Sequence, residues 1–208
     1  MKVRLLAIAA VASAVCACSS VRYDDPDRVE TLTIDFGSTD LQTLAGSMTE
    51  SLAAAPQLAY LENPAKGNDK RIVAVMGGVE NRTSEHIDTQ GITDQIRTSL
   101  LNSGKFRFVA GNAGQGEIGE QVRFQQSGRV DPAWAREFGK QFGAEVVLYG
   151  TLRSIDKAKG STLESGGTKY KDKYYQFVLN LVNIETGEII WSDIEEIRKS
   201  EKKGLFGR

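Results

Sequence analysis

Past residue 18 the sequence contains no cysteine, and its only two, Cys16 and Cys18, stand close together near the start. The body of the chain therefore has neither a disulfide framework nor a thiolate metal site available, and its stability rests on packing. Histidine is almost absent as well. His86 is the single one, and one imidazole beside Glu85 and Asp88 lacks the convergent ligands that zinc or iron requires, so His86 reads as a surface or hydrogen-bonded residue and no metal is expected. There is no excess of charge: with Lys2 and Arg4 set aside, 24 basic side chains face 27 acidic ones, which leaves no electrostatic footprint for nucleic acid. No Gly-rich loop ending in Lys-Ser or Lys-Thr occurs, and the glycine in Phe36-Gly37-Ser38-Thr39-Asp40 reads as a turn into a helix. Spacing brings no nucleophile, base and orienting group together, so no enzyme, cofactor or small-molecule substrate is expected.

What stands at the start is an address. Lys2 and Arg4 precede an apolar run, Leu5 to Val15, that is too short to span a bilayer and is followed by small residues, the pattern of a secretory signal. Val15-Cys16-Ala17-Cys18 puts an apolar residue three positions before Cys18 and a small one directly before it, which resembles a lipobox. The expectation is a leader over residues 1–17 and lipidation at Cys18. Several acyl chains together hold a protein on a membrane, each buried methylene contributing about 0.8 kcal/mol. Residues 18–30 then form the lipidated cysteine and a short polar tether, Ser19 to Glu30, which reaches about 40 to 45 Å when extended.

Residues 31–208 read as one domain. Thr31 to Phe36 alternates like a short edge strand, and Leu41, Leu44, Met48 and Leu52 mark an amphipathic helix that Pro56 ends. Arg71 to Met76 is apolar enough for a strand covered on both faces. Gly77 to Ile87 reads as a loop, and Asp88 and Thr89 as caps of a helix whose apolar stripe is Ile92, Ile96, Leu100 and Leu101. Gly104 stops that helix, and Lys105 to Val109 returns as a strand. Gly111 to Gly119 is glycine-rich and reads as a loop, with a short helix over Glu120 to Gln126. Asp131 and Pro132 open a further helix whose Trp134, Phe138 and Phe142 recur every four residues as core. Val146 to Leu152 is a second buried strand, parallel to the first through helical crossovers. After a polar, glycine-containing stretch, Lys157 to Tyr170, the segment Tyr174 to Ile184 alternates with Tyr175, Phe177, Leu179 and Leu181 on one face. Glu185 to Glu188 turns the chain, and Ile189 to Ile197 runs back antiparallel. Arg198 to Arg208 reads as a basic, solvated tail. The fold class is α/β: a mixed sheet of about four to five strands packed with helices, ending in an antiparallel hairpin.

The loop after the first buried strand holds the residues suited to recognition: Asn81, Arg82, Thr83, Glu85 and His86. Arg82 and Asn81 can hold a carboxylate or phosphate, guanidinium being fitted to two-point binding; Asn81 and Thr83 can equally satisfy backbone groups in a tight loop. Arg82, with no partner that the local sequence obliges it to use, is expected to point outward.

The string Val79 to Thr89, VENRTSEHIDT, and the helix ending LLNSGKFRFV resemble the LpoB family of bacterial outer-membrane lipoproteins. So do Val130 to Ser154 and Tyr175 to Lys199, in the same order, so the similarity covers Leu32 to Lys199. The resemblance implies a non-enzymatic activator of a bifunctional, class A, penicillin-binding protein in peptidoglycan synthesis, carried on the outer membrane by its N-terminal lipid and facing the periplasm, with the loop residues as partner contacts. Family members carry a long Pro-rich tether that is much shorter here. A second class stays open, a subunit of an outer-membrane secretion pore or other envelope assembly, since pore-forming curli-type lipoproteins share a related fold. A pore requires apolar membrane-facing hairpins, and the only suitable insertion, Lys157 to Asp172, is polar.

Overall fold

A computed structural model describes residues 24–30, 32–61, 63–124, 127, 143–160 and 168–204. The leader, Cys18, the start of the tether and the helix expected around Trp134, Phe138 and Phe142 lie outside the described residues.

Helix α1, Ser38–Ala54, begins where the Asp40 carboxylate reaches back to the Gly37 N–H at 2.8 Å. Two short 3-10 turns, Pro56–Tyr60 and Pro64–Lys66, lead to strand β1, Ile72–Arg82. Helix α2, Thr89–Asn102, follows; Asp88 is its cap, accepting from the Gln90 N–H. Thr89 is not a cap but the first helical residue, its hydroxyl donating to the Val79 carbonyl at 2.7 Å. Strand β2, Phe106–Phe108, helix α3, Asn112–Phe124, and strands β3, Val146–Lys159, β4, Lys169–Asn183, and β5, Ile189–Lys203, complete the described elements. The sheet order is β2-β1-β3-β4-β5, parallel across β2, β1 and β3 and antiparallel across β3, β4 and β5.

One face of this sheet carries the core. Leu44, Met48 and Leu52 from α1 and Ile92, Ile96 and Leu100 from α2 meet Ala74, Leu148, Leu152, Phe177, Leu179 and Leu181, a continuous apolar layer between helices and sheet. Leu101 does not belong to it: one position beyond Leu100 is about 100° further round the helix, and it stands 43% exposed. The strap before α1 differs more from expectation. Residues 32–36 form no strand, because their polar groups are taken by side chains instead of by a sheet edge: Phe36 N–H by Glu85 and the Asp35 carbonyl by Lys199.

Strand β1 is longer than its apolar run because Gly77 and Gly78 together face one residue of β3, a bulge between Met76 and Val79. Gly77 is required there, since a Cβ would lie 2.6 Å from the Leu148 carbonyl oxygen. Asn81 and Arg82 are therefore strand residues, and the loop shortens to residues 83–88. Helix α3 occupies most of the stretch expected to be a loop; at Gly114 a Cβ would come 2.9 Å from that of Ala110, so glycine suits the close approach at this turn. The hairpin strands also extend beyond expectation. Arg198 to Lys203 is not a loose tail but pairs with Lys169 to Tyr174, which is why both ends of β4 and β5 are ordered against each other.

Candidate partner-binding site

Alternation assigns the loop candidates to opposite sides of the sheet. Asn81 and Val79 share the helix-covered face through their register with Leu152 and Gly150, while Glu80 and Arg82 lie on the other face beside Thr151 and Arg153. Asn81 is consumed by the loop. Its Nδ2 donates to the carbonyls of Glu85 at 2.9 Å and Ile87 at 3.3 Å, and its Oδ1 accepts from the Thr83 N–H and hydroxyl. Of the two readings open for Asn81 and Thr83, the backbone-satisfying one is what these bonds perform.

Glu85 is turned inward as well. One carboxylate oxygen accepts from Lys173 Nζ at 2.6 Å and from the Tyr175 hydroxyl at 2.5 Å, and the other from the Phe36 N–H at 2.9 Å. Lys173 also holds Asp35 at 2.7 Å and faces Asp156 at 3.6 Å. One β-pair away Lys199 bonds Asp40 at 2.7 Å. Burial pushes the Glu85 carboxyl up, but the bonds from Lys173, Tyr175 and Phe36 outweigh it and hold it below the usual carboxylate range. Burial pulls Lys173 down, and Asp35 and Glu85 more than reverse this, so its ammonium is held above the ordinary range. Burial and the adjacent Glu85 carboxylate both raise the Tyr175 phenol, so it stays protonated as a donor. The result is an ionic clamp that fastens strap, loop and hairpin together. Lys173, Tyr175 and Asp35 were not among the candidates, although one signal pointed to Lys173: it falls in phase with Tyr175, Phe177, Leu179 and Leu181, a cation on the buried side of a strand.

Arg82 and His86 remain on the outside. Arg82 is not without a partner, since its Nε lies 2.8 Å from Glu80, but both side chains are more than half exposed, a geometry of little energetic weight. Around Arg82 the uncovered sheet face of the described residues presents Arg153, Ile155, Tyr174, Ile194 and Arg198. Ile155 and Ile194 are 55% and 51% exposed, and the Arg198 guanidinium sits 5.7 Å over the Tyr174 ring. Cations interleaved with apolar and aromatic side chains on a sheet face suit protein recognition better than chemistry. Among the described residues no group of three or more His, Cys, Asp or Glu is placed to hold a metal, and no helix is long and apolar enough to cross a membrane.

The model of the family described as "Peptidoglycan-synthase activator LpoB" matches residues 40–197, a span that runs from the first turn of α1 to the middle of β5. The chain belongs to the LpoB family. Solved structures resemble it at low identity. The LpoB C-terminal domains of Salmonella enterica and Escherichia coli are 19% and 20% identical, each with 76% of this chain and 98% of that domain covered and a TM-score of 0.43. A lipoprotein of Neisseria meningitidis is 16% identical over 63% of this chain and 84% of that one, with a TM-score of 0.36. No curated protein sequence matches significantly. The expected family and the mixed five-stranded fold are both borne out.

Proposed function

We propose that this LpoB-family protein is a lipid-anchored periplasmic regulator, held on the outer membrane through Cys18, that docks on a bifunctional penicillin-binding protein and raises its synthetic activity without catalysis of its own. The observation that supports the reading is the sheet face opposite α1 and α2, where, among the described residues, Arg82, Arg153 and Arg198 stand with exposed Ile155 and Ile194 and half-buried Tyr174. Glu80 and Glu196 stand among these arginines, so such a surface suits a partner patch of mixed charge with an apolar centre. The ionic clamp on the opposite side keeps the sheet rigid, so little conformational entropy is lost on docking. Activation follows if the bound conformation of the synthase is the active one, since a ligand shifts an equilibrium by its differential affinity for the two states.

Charged residues along the distal hairpin, among them Lys157, Lys159, Lys169 and Lys171, give a membrane-spanning pore strand no apolar outer face, which favours the regulator over the pore subunit. The test is capture from detergent-extracted membranes with the purified full-length protein, followed by the glycan polymerisation rate of the captured synthase. Recovery of a bifunctional penicillin-binding protein and an accelerated rate are expected. An unchanged rate at saturating protein would contradict the proposal.

A further inference from the structure

The whole chain carries 26 basic against 27 acidic side chains, but one end of the sheet is strongly basic. Past the rung of Asp156, Lys173 and Lys199, the described residues of β3, β4 and β5 hold Lys157, Lys159, Lys169, Lys171, Lys202 and Lys203 against Asp172 and Glu201 alone. Asp172 accepts from the Ser200 hydroxyl at 2.7 Å, and Glu201 pairs with Lys203 at 3.0 Å. Lys202 stands 5.7 Å over the Tyr170 ring; Lys157, Lys159, Lys169 and Lys171 make no ion pair or hydrogen bond among the described residues. Protection of a strand edge explains part of this array: Lys157 and Lys159 lie where β3 has outrun β1, and Lys202 and Lys203 lie on β5. It does not explain Lys171, which has a strand on each side, or Lys169, set directly opposite Lys203. Like charges directly opposite weaken a sheet, so folding gives no reason for that pair.

The tether meets the domain near this end. The Pro26 carbonyl accepts from Gln42 at 3.2 Å, two residues past Asp40, which holds Lys199. From the rung of Lys173 and Lys199 the hairpin runs on to Lys169 and Lys203, a further rise of about 13 Å. From Asp24 back to Cys18 the chain reaches about 20 Å when extended, so lipid on Cys18 can lie in the plane of the hairpin end. Of the tether's acids, Glu30 is held on Ser38 and Asp24 on Arg28, beside α1 and behind that plane.

We propose that the lysine-bearing end of β3, β4 and β5 rests on the anionic phospholipid headgroups of the membrane that anchors the chain, so that the domain stands end-on. This builds on the reading of Cys18 as the anchor. Alternation puts Lys169, Lys171 and Lys203 on the strap side of the sheet and Lys157, Lys159 and Lys202 on the other. One plane meets both sets only where the sheet stands end-on to it, and long lysine stems reach forward from either side. A folded partner docking on one sheet face would leave half of them unused. Tyr170, 43% exposed and in register between Lys159 and Lys202, adds a ring suited to the headgroup level. A basic cluster beside a lipid anchor is attracted to an anionic leaflet. Acyl chains already hold the protein there, so what the lysines add is orientation: the face bearing Arg82 and Arg153 is turned sideways, clear of the bilayer.

The full-length protein carrying Cys18→Ala, without lipid of its own, separates this contact from the anchor. At low ionic strength it should float with vesicles of phosphatidylcholine mixed with phosphatidylglycerol, and it should not float with phosphatidylcholine alone. Salt screens such a contact, so it should also be lost at the ionic strength of ordinary fractionation. Lys169→Glu with Lys171→Glu should weaken vesicle binding about ten-fold or more, while Lys169→Arg with Lys171→Arg should keep it. Lys157→Glu with Lys159→Glu gives a second reduction that does not depend on the central strand, and circular dichroism shows that each variant is folded. No binding to the anionic vesicles, equal binding to both kinds, or binding indifferent to both pairs of reversals would overturn the proposal. So would retention on purified peptidoglycan sacculi with none on vesicles, which would assign the lysines to an anionic wall polymer. With no lipid on the protein, any of these failures leaves the anchor at Cys18 untouched.

Discussion

Replacing Glu85 by alanine is the perturbation that best separates scaffold from interface. The change removes three bonds at once, from Lys173 Nζ, the Tyr175 hydroxyl and the Phe36 N–H. Breaking a fully buried ion pair costs about 3 to 5 kcal/mol because a charge is left uncompensated. Here Lys173 keeps Asp35 at 2.7 Å, and the Glu85 side chain is 20% exposed, so the ionic part is smaller. Tyr175, fully buried, loses its near acceptor and keeps only the Ile34 carbonyl at 3.4 Å, so this part lies toward the low end of the about 1 to 3 kcal/mol that an orphaned buried donor costs. Together these give a loss of about 3 kcal/mol, or about 6 to 12 °C in Tm for a domain of this size. Thermal unfolding followed by circular dichroism at pH 7 measures it, and Glu85→Gln, which keeps an acceptor without the charge, should fall between. A melting temperature within about 2 °C of the parent, combined with lost synthase binding, would refute this account and return Glu85 to the interface.

The clamp also sets a pH dependence. Glu85 titrates below its ordinary value when folded, so its contribution is complete above the unfolded value of about 4.3 and is lost as pH falls through the lower folded one. Lys173 titrates above its ordinary value, so its contribution is complete below about 10.4 and is lost only at more alkaline pH. The gap in Tm between parent and Glu85→Ala should therefore be flat around neutrality and narrow in acid, as melts at stepped pH would reveal. Leu100→Ala opens a cavity in a fully buried site and should cost about 2 to 5 kcal/mol, whereas Leu101→Ala on the exposed side should change stability by no more than about 0.5 kcal/mol; equal melting temperatures would misplace the stripe. Arg82→Ala loses only an exposed pair worth about 0 to 1 kcal/mol and should melt like the parent while binding the synthase more weakly and with less salt dependence, as titration at two ionic strengths would measure. Cys18→Ala should release the protein from membranes on fractionation and Cys16→Ala should not; equal retention would count against lipid at Cys18.

Periodicity made helices α1 and α2 and the hairpin legible, while the glycines of Gly111 to Gly119 hid most of α3. Ile92, Ile96 and Leu100 repeat at helical spacing, and Tyr175 to Leu181 at the spacing of two, because each set faces one apolar layer. The bulge at Gly77 and Gly78 hid the second half of β1 by shifting that count: even-numbered residues face inward up to Met76, and odd-numbered ones from Val79 onward. The ends of β3, β4 and β5 were hidden for another reason. Lys169 to Lys173 and Arg198 to Lys203 are held by cross-strand pairing and by contacts to the strap, which leave no apolar trace in the chain. The loop was expected over Gly77 to Ile87 and is confined to residues 83–88, and spacing alone could not divide inward from outward residues, since Glu85 acquires its role from Lys173, 88 positions away.

The strap of residues 32–37 leads into the domain, and it is secured by side chains of β4, β5 and the loop instead of by a backbone ladder. Any pull transmitted along the residues before it is met first by Pro26 with Gln42 and by Glu30 with Ser38 and Thr39, and then by Asp35 with Lys173 and Asp40 with Lys199. The five-stranded sheet lies behind this fastening and takes up load only after it yields. Tension from the N-terminal side is thus spent on a detachable hem, and the exposed Arg82 face on the far side of the sheet keeps its shape while that hem holds.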